Sequence, residues 1–184
     1  MSEPQSPSSV LSPYYTQDHE AFRDQLRRFV EQEVEPYVDE WEAAGEIPRE
    51  FFIKTGELGI RGMGYPEEFG GVDIDLFHLI VLHEEFGRAG SGGVSAAMMA
   101  HNIAIPPIVE AGDRRLQDLV LPDVISGHKL AALCITEPGS GSDVAQLRTK
   151  AVRDGDEFIV NGSKTFITGG MNADFYTVAV RTGG

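Results

Sequence analysis

The chain has one cysteine, Cys134, one tryptophan, Trp41, and far fewer basic than acidic residues. A lone cysteine excludes an internal disulfide and a cysteine-based zinc site, and it suits a reducing compartment. The 15 Lys and Arg against 29 Asp and Glu leave a net charge of −14. That balance excludes the broad basic surface that nucleic acids and anionic membranes require. It leaves room for an anionic small ligand held by a few local donors. No apolar run approaches the ~20 residues that a membrane-spanning helix needs. The opening stretch MSEPQSPSSVLSPYY has no base and no apolar core, so it reads as neither a secretory signal nor an Arg-rich transit peptide. The expectation is a disordered tail over 1–15 and a cytoplasmic address. What is present is enough for a core: 184 residues, 41% of them hydrophobic, suit one large domain or two small ones.

The hydrophobic period divides the chain in two. Over 16–128 it is helical. Phe22, Leu26, Phe29, Val30 and Val34 recur at spacings of three and four, which places them on one helix face. Pro36 should bend or end that helix, because it has no amide hydrogen to donate. Val38 and Trp41 continue the face to a stop at Gly45. Pro48 opens a further helix, and Asp75 and Asp113 are placed to cap two more. VSAAMMAHNIAI is small and apolar all round, which predicts a closely packed central helix. Over 129–184 the period falls to two. KLAALCIT has strand length, Asp154-Gly155 and Asn161-Gly162 are hairpin signals, and DFYTVAVRT is a further strand. The expected fold is therefore α+β: an N-terminal all-α domain, then a partial antiparallel β domain.

Two segments carry chemistry. In CITEPGSGSD, residues 134–143, Gly139 and Gly141 let main-chain amides come close to a ligand. Thr136, Ser140 and Ser142 add hydroxyls. Such a loop suits a phosphate or the polar edge of a heteroaromatic ring, and equally a plain Gly-Ser turn. It does not fit the dinucleotide fingerprint, whose third glycine would fall at Val144. In TFITGG, Phe166 and Thr168 are two apart and would share a strand face. By itself that spacing fits core packing as well as a flat ring.

Taken with its downstream K-x-F-I-T, the stretch CITEPGSGSDVAQLRTKAVRDGDEFIVNGSKTFITGG resembles the start of the middle domain of the acyl-CoA dehydrogenases. FVEQEVEPYVDEWEAAGEIPREFFIKTGELGIRGMGYPEEFGG and DVISGHKLAALCITEPGSGSD are similar to that family's N-terminal region and its run into the flavin loop. The resemblance implies an N-terminal helical domain, a middle β domain and a C-terminal four-helix domain, the last absent from this chain. It implies FAD, with contacts carried onto Leu133, Cys134, Ile135, Thr136, Gly139, Gly141, Ser142, Phe166, Ile167 and Thr168. Thr136 and Thr168 would bond the isoalloxazine ring, and Phe166, where many members carry Trp, would cover one face. Ser142 would lie at the acyl-CoA entrance, and Met98 and Met99 would wall the acyl group.

The implied activity is α,β-dehydrogenation of an acyl-CoA thioester, with electrons passed to an electron-transfer flavoprotein by a homotetramer. The family's catalytic glutamate falls beyond Gly184 in either of its two known positions, so no catalytic residue is assigned. Glu84 and Glu85 read as a solvated helix face, Glu137 as structural, and His78, His83 and His101 as scattered packed histidines. No metal site is read. Two other readings share these residues: oxygen-using flavin chemistry on the same scaffold, and a catalytically inactive chain or partner subunit.

Overall fold

The computed structural model describes residues 13–183. Eight helices and four strands follow one another among these residues: α1 Gln17–Glu33, α2 Val38–Ala44, α3 Arg49–Glu57, α4 Leu76–Gly87, α5 Gly92–Met99, α6 His101–Ala104, α7 Pro106–Ala111, α8 Arg114–Ile125, then β1 Ala131–Cys134, β2 Lys150–Asp154, β3 Glu157–Asn161 and β4 Phe175–Val178. Helices come first and strands second, as the change of period requires. Residues 1–12 of the expected tail lie outside the described residues, whereas the Tyr14 and Tyr15 rings pack on Phe77.

The helix ends follow local chemistry. Asp75 and Asp113 accept from the amides of His78 and Leu116 and so cap α4 and α8. Gly45 closes α2 in the left-handed conformation, which costs glycine nothing. Pro36 sits in a 3-10 turn after α1. The apolar run VSAAMMAHNIAI is not one helix. It is cut at Ala100, and again before Pro106 at the first position of α7, because proline cannot donate backward. Nor is it buried all round: Ile103 is 56% exposed.

By their internal contacts the residues form two compact units. One takes the chain through Glu46 together with Asp73–Ser95. Here α1 packs along α4, burying Leu26, Val30, Val81, Leu82 and Phe86. Such burial contributes roughly 1.5–3 kcal/mol per large side chain. Glu85 is buried in the same unit, against the expectation of a solvated pair. Arg27 donates to both its oxygens at 3.0 and 3.1 Å and Arg23 to one at 3.2 Å. Burial alone would raise the Glu85 carboxyl, but these arginines outweigh it and hold it below the usual range. Its neighbour Glu84 is exposed and pairs with Arg23.

The other unit takes Ile47–Val72 and the chain from Ala96 onward. Its core joins Phe69, Ala104, Ile105, Val120, Leu121, Val124, Ile125 and Ala131, with Leu133 and Phe175 packed against it. The strands form two separate pairs. β2 and β3 are an antiparallel hairpin with Lys150 opposite Asn161, turning at Gly155 (φ 62°). β1 and β4 run parallel, with Leu133 opposite Thr177. The parallel pairing and the missing second hairpin both depart from a simple meander. Asn161-Gly162 is not a turn: an added Cβ on Gly162 would lie 2.3 Å from Thr149 Oγ1. Glycine is there to let two strands of chain touch.

Candidate functional site

The parallel pair sets up the site. After β1 the chain continues through Ile135 and Thr136 into a tight turn. There Glu137 N–H donates to Ser140 O at 2.9 Å and Ser140 N–H donates back at 3.1 Å. Pro138 and Gly139 are the two central residues of this turn, and proline's fixed φ favours it. The segment after β3 returns beside this end of β1, where Thr165 N–H donates to Thr136 O at 2.9 Å. Between the two segments opens a cleft of about 220 Å³. Leu133, Ile135 and Thr136 line it from the first segment, and Phe166, Ile167 and Thr168 from the second. Ala100 and Ile103, three apart on the helical run, complete it.

Six of the ten sequence-derived cofactor positions therefore meet in one cleft. The others lie elsewhere. Cys134 is 6% exposed and faces the interior, where burial pushes its thiol up despite nearby Lys164. Gly139 is exposed in the turn itself, and Gly141 and Ser142 are exposed just after it, with nothing within 4 Å of an added Cβ on either glycine. Met99 is half-buried and accepts from Asn102 Nδ2 at 3.6 Å through its sulfur; Met98 is buried. The sequence reading missed Ala100 and Ile103, although their spacing of three was there to be seen. It also missed Lys164, which lies two residues before Phe166 in the quoted motif.

Phe166 has the strongest backbone signal. It is the one non-glycine residue with positive φ among the described residues, at 55°, and its ring is 92% exposed. A bulky side chain in this region costs about 1 kcal/mol or more. An aromatic held out at such a cost, in a cleft also lined by Thr136 and Thr168, makes one wall of a slot for a flat polar ring. The Ser140 amide is used within the turn, and the exposed Gly141 and Ser142 that follow leave main chain open to an attached anionic group. The residues present therefore fit a heteroaromatic cofactor with a phosphate tail.

A buried ion pair underlies the cleft. Glu137, 7% exposed, accepts from Thr149 N at 2.8 Å, Thr149 Oγ1 at 2.6 Å, Arg148 N at 2.6 Å and Lys164 Nζ at 2.9 Å. The Thr149 bonds lead in holding its carboxyl at about 2. Lys164 Nζ also donates to Ile135 O at 2.8 Å.

The histidines hold no catalytic arrangement. His101 is 2% exposed, and burial, then the Arg61 charge, push it down to about 3. His83 is exposed. His19, Asp75 and His78 bring three ligand-type atoms within 4.8 Å, but hydrogen bonds account for the cluster. Thr16 N–H donates to His19 Nδ1 at 2.9 Å. The His19 proton must then sit on Nε2, which donates to Asp75 at 3.0 Å. A metal on Nε2 would strip that proton with nowhere on the ring to replace it.

The acyl-CoA dehydrogenase N-terminal domain family matches residues 16–128, and the middle domain family matches 132–184. The long-chain specific acyl-CoA dehydrogenase of Rattus norvegicus is 36% identical over 168 residues, 91% of this chain and 39% of the relative. An acyl-CoA dehydrogenase structure from Geobacillus kaustophilus superposes with a TM-score of 0.85 at 37% identity, over 94% of this chain and 45% of that one. A Bacillus anthracis acyl-CoA dehydrogenase complexed with FAD gives 0.82 at 31%, over 94% and 30%. The chain thus spans less than half the length of these relatives. The expected cytoplasmic address is overturned: the rat, mouse and pig relatives are named as mitochondrial. The composition of folded segments does not report an address, because targeting is read from dedicated segments and not from the folded core. With its two family models matching consecutive segments and the cleft formed by the motif residues, the chain is a member of the acyl-CoA dehydrogenase family.

Proposed function

We propose that this chain forms the flavin half of an FAD-dependent acyl-CoA dehydrogenase, which takes an acyl-CoA thioester to its trans-2-enoyl form and delivers the electrons to an electron-transfer flavoprotein. The observation that carries this reading is the cleft: Thr136, Thr168 and the exposed Phe166 ring converge there from separate segments. FAD bound there would supply the hydride acceptor. The Thr136 and Thr168 hydroxyls would donate to the ring edge, where fixed donors favour the negative charge that builds on reduction. Phe166 would shield one ring face from water. Leu133, Ile135 and Ile167 would provide the apolar contact, and the 139–142 loop would bind the phosphates through main-chain amides. Ser142 and Met99 are assigned to the substrate side, at the CoA arm and the acyl group. Relatives named for long-chain, isobutyryl and (2S)-methylsuccinyl substrates are 36%, 34% and 38% identical, so the acyl group is set by pocket walls rather than by overall likeness. Acting as a homo-oligomer accords with this reading.

The test is anaerobic titration of the purified protein, as its gene encodes it, with acyl-CoAs of graded length. Bleaching of a flavin band by acyl-CoA is expected, with Thr168→Ala slowing it about 10–100-fold while the protein stays folded. A protein that takes up no FAD, or whose flavin no acyl-CoA reduces, would overturn the reading.

A further inference from the structure

The two segments that line the cleft are far apart in sequence and share few bonds. Among the described residues one main-chain hydrogen bond joins them, from Thr165 N–H to Thr136 O. Further ties run through Lys164. Its ammonium donates to Ile135 O on the first segment at 2.8 Å and to Glu137 Oε1 at 2.9 Å. Glu137 is fixed in turn by the Pro138-Gly139 turn and by the main chain at Arg148 and Thr149. Gly162 packs directly on Thr149, so the segment carrying Lys164 leaves β3 at a set height. The pair thus stands between cleft residues on both sides: Ile135 and Thr136 before Glu137, and Phe166 to Thr168 after Lys164.

The pair is buried, with side chains 10% and 7% exposed. A buried ion pair gives little net stability over an apolar pair of the same size, because desolvation cancels most of the attraction. Its directional bonds do fix geometry. Fold stability alone therefore does not account for a charged pair at this junction. We propose that Glu137 and Lys164 are positioning residues that set the spacing between the Thr136 and Thr168 hydroxyls, and so tune the grip on the cofactor ring. This rests on the flavin reading of the cleft. Neither residue touches the ring; both act through the segments they join.

The test separates spacing from stability. In Glu137→Gln or Lys164→Met, one charge is left buried without its partner, and both folding and FAD binding suffer. In the double variant Glu137→Gln/Lys164→Met no buried charge remains. The apoprotein melting temperature is expected to return to within about 3 °C of the parent. FAD is expected to stay about tenfold more weakly bound, with an altered visible band for the bound flavin. A double variant that binds FAD with the parent's affinity and spectrum would overturn the proposal. So would one that fails to regain its fold, since the pair would then belong to the fold itself. A parent protein that takes up no FAD overturns the flavin reading, and this inference with it; a parent that binds FAD beside an unaffected double variant overturns this inference alone.

Discussion

Asp154-Gly155 and Asn161-Gly162 are near-copies in sequence that do different physical work. At the first, Gly155 adopts φ 62° with open space around it, and the chain reverses into the β2–β3 hairpin. At the second, the glycine has an ordinary φ and the chain does not reverse. Its missing side chain admits Thr149, whose amide and hydroxyl hold Glu137. One glycine supplies a conformation and the other supplies an absence of volume. The first kind of need is local and can be read from neighbouring residues. The second depends on a residue elsewhere in the chain, and a short motif cannot announce it.

The sharpest way to break this comparison is to add one methyl at each position. Gly162→Ala should be the most damaging change. Its Cβ would sit 2.3 Å from Thr149 Oγ1 and 2.7 Å from Thr149 Cα, so main chain must move. A loss of about 3 kcal/mol is expected from such overpacking, read by denaturant unfolding, together with weaker FAD retention because Thr149 is pushed off Glu137. A change under 1 kcal/mol would show that the contact is loose and that the cleft does not depend on it.

The same division explains what the sequence made legible. Asp75, Asp113, Gly45 and Pro48 were readable as helix signals because capping is decided within a few residues. The hairpin at Gly155 was readable for the same reason. The parallel pairing of β1 with β4 was not, because it joins segments about forty positions apart and is held by partners still further away in the chain, Arg49 and Ala104. Asp174 accepts from Leu130 N at 2.8 Å and from Arg49, and Thr177 Oγ1 donates to Ala104 O at 2.6 Å. At the site, Thr136, Phe166 and Thr168 were found through a motif. Ala100 and Ile103 were not, because their spacing of three marks a shared side of the run but not which side is left open to the cleft. Glu85 was misjudged because its arginines lie on another helix, about sixty positions away in the chain.

A smaller effect is expected from acid. Hydrogen bonds from Thr149 hold Glu137 at about 2 in the folded protein, while an unfolded chain's Glu titrates near 4.3. Between those values the unfolded chain binds the extra proton. This group's stabilising contribution is therefore complete above about pH 4.5 and is lost as pH falls toward 2. Hydrogen exchange at the Arg148 and Thr149 amides should show it, through protection that falls faster over that window than at the hairpin amides of Val152 and Ile159. Equal loss at both places would mean that Glu137 does not govern the contact, and Glu137→Gln should remove the difference.

The mildest expected change is Gly155→Ala. Nothing lies within 4 Å of its added methyl, so no volume conflict arises. What remains is the left-handed backbone, which costs an L-residue about 1 kcal/mol. Asparagine tolerates that region better than alanine, so Gly155→Asn should recover part of the loss. At Gly162, Asn should do no better than Ala, since the conflict there is with volume. Unfolding measurements on the four variants give the comparison directly. If Asn rescued both positions, Gly162 would be a conformational glycine after all, and the tight approach to Thr149 would have no bearing on the cleft. If it rescued neither, the hairpin turn would require something beyond a positive φ. Rescue at 155 alone is the result that assigns one glycine to the turn and the other to the floor beneath the candidate site.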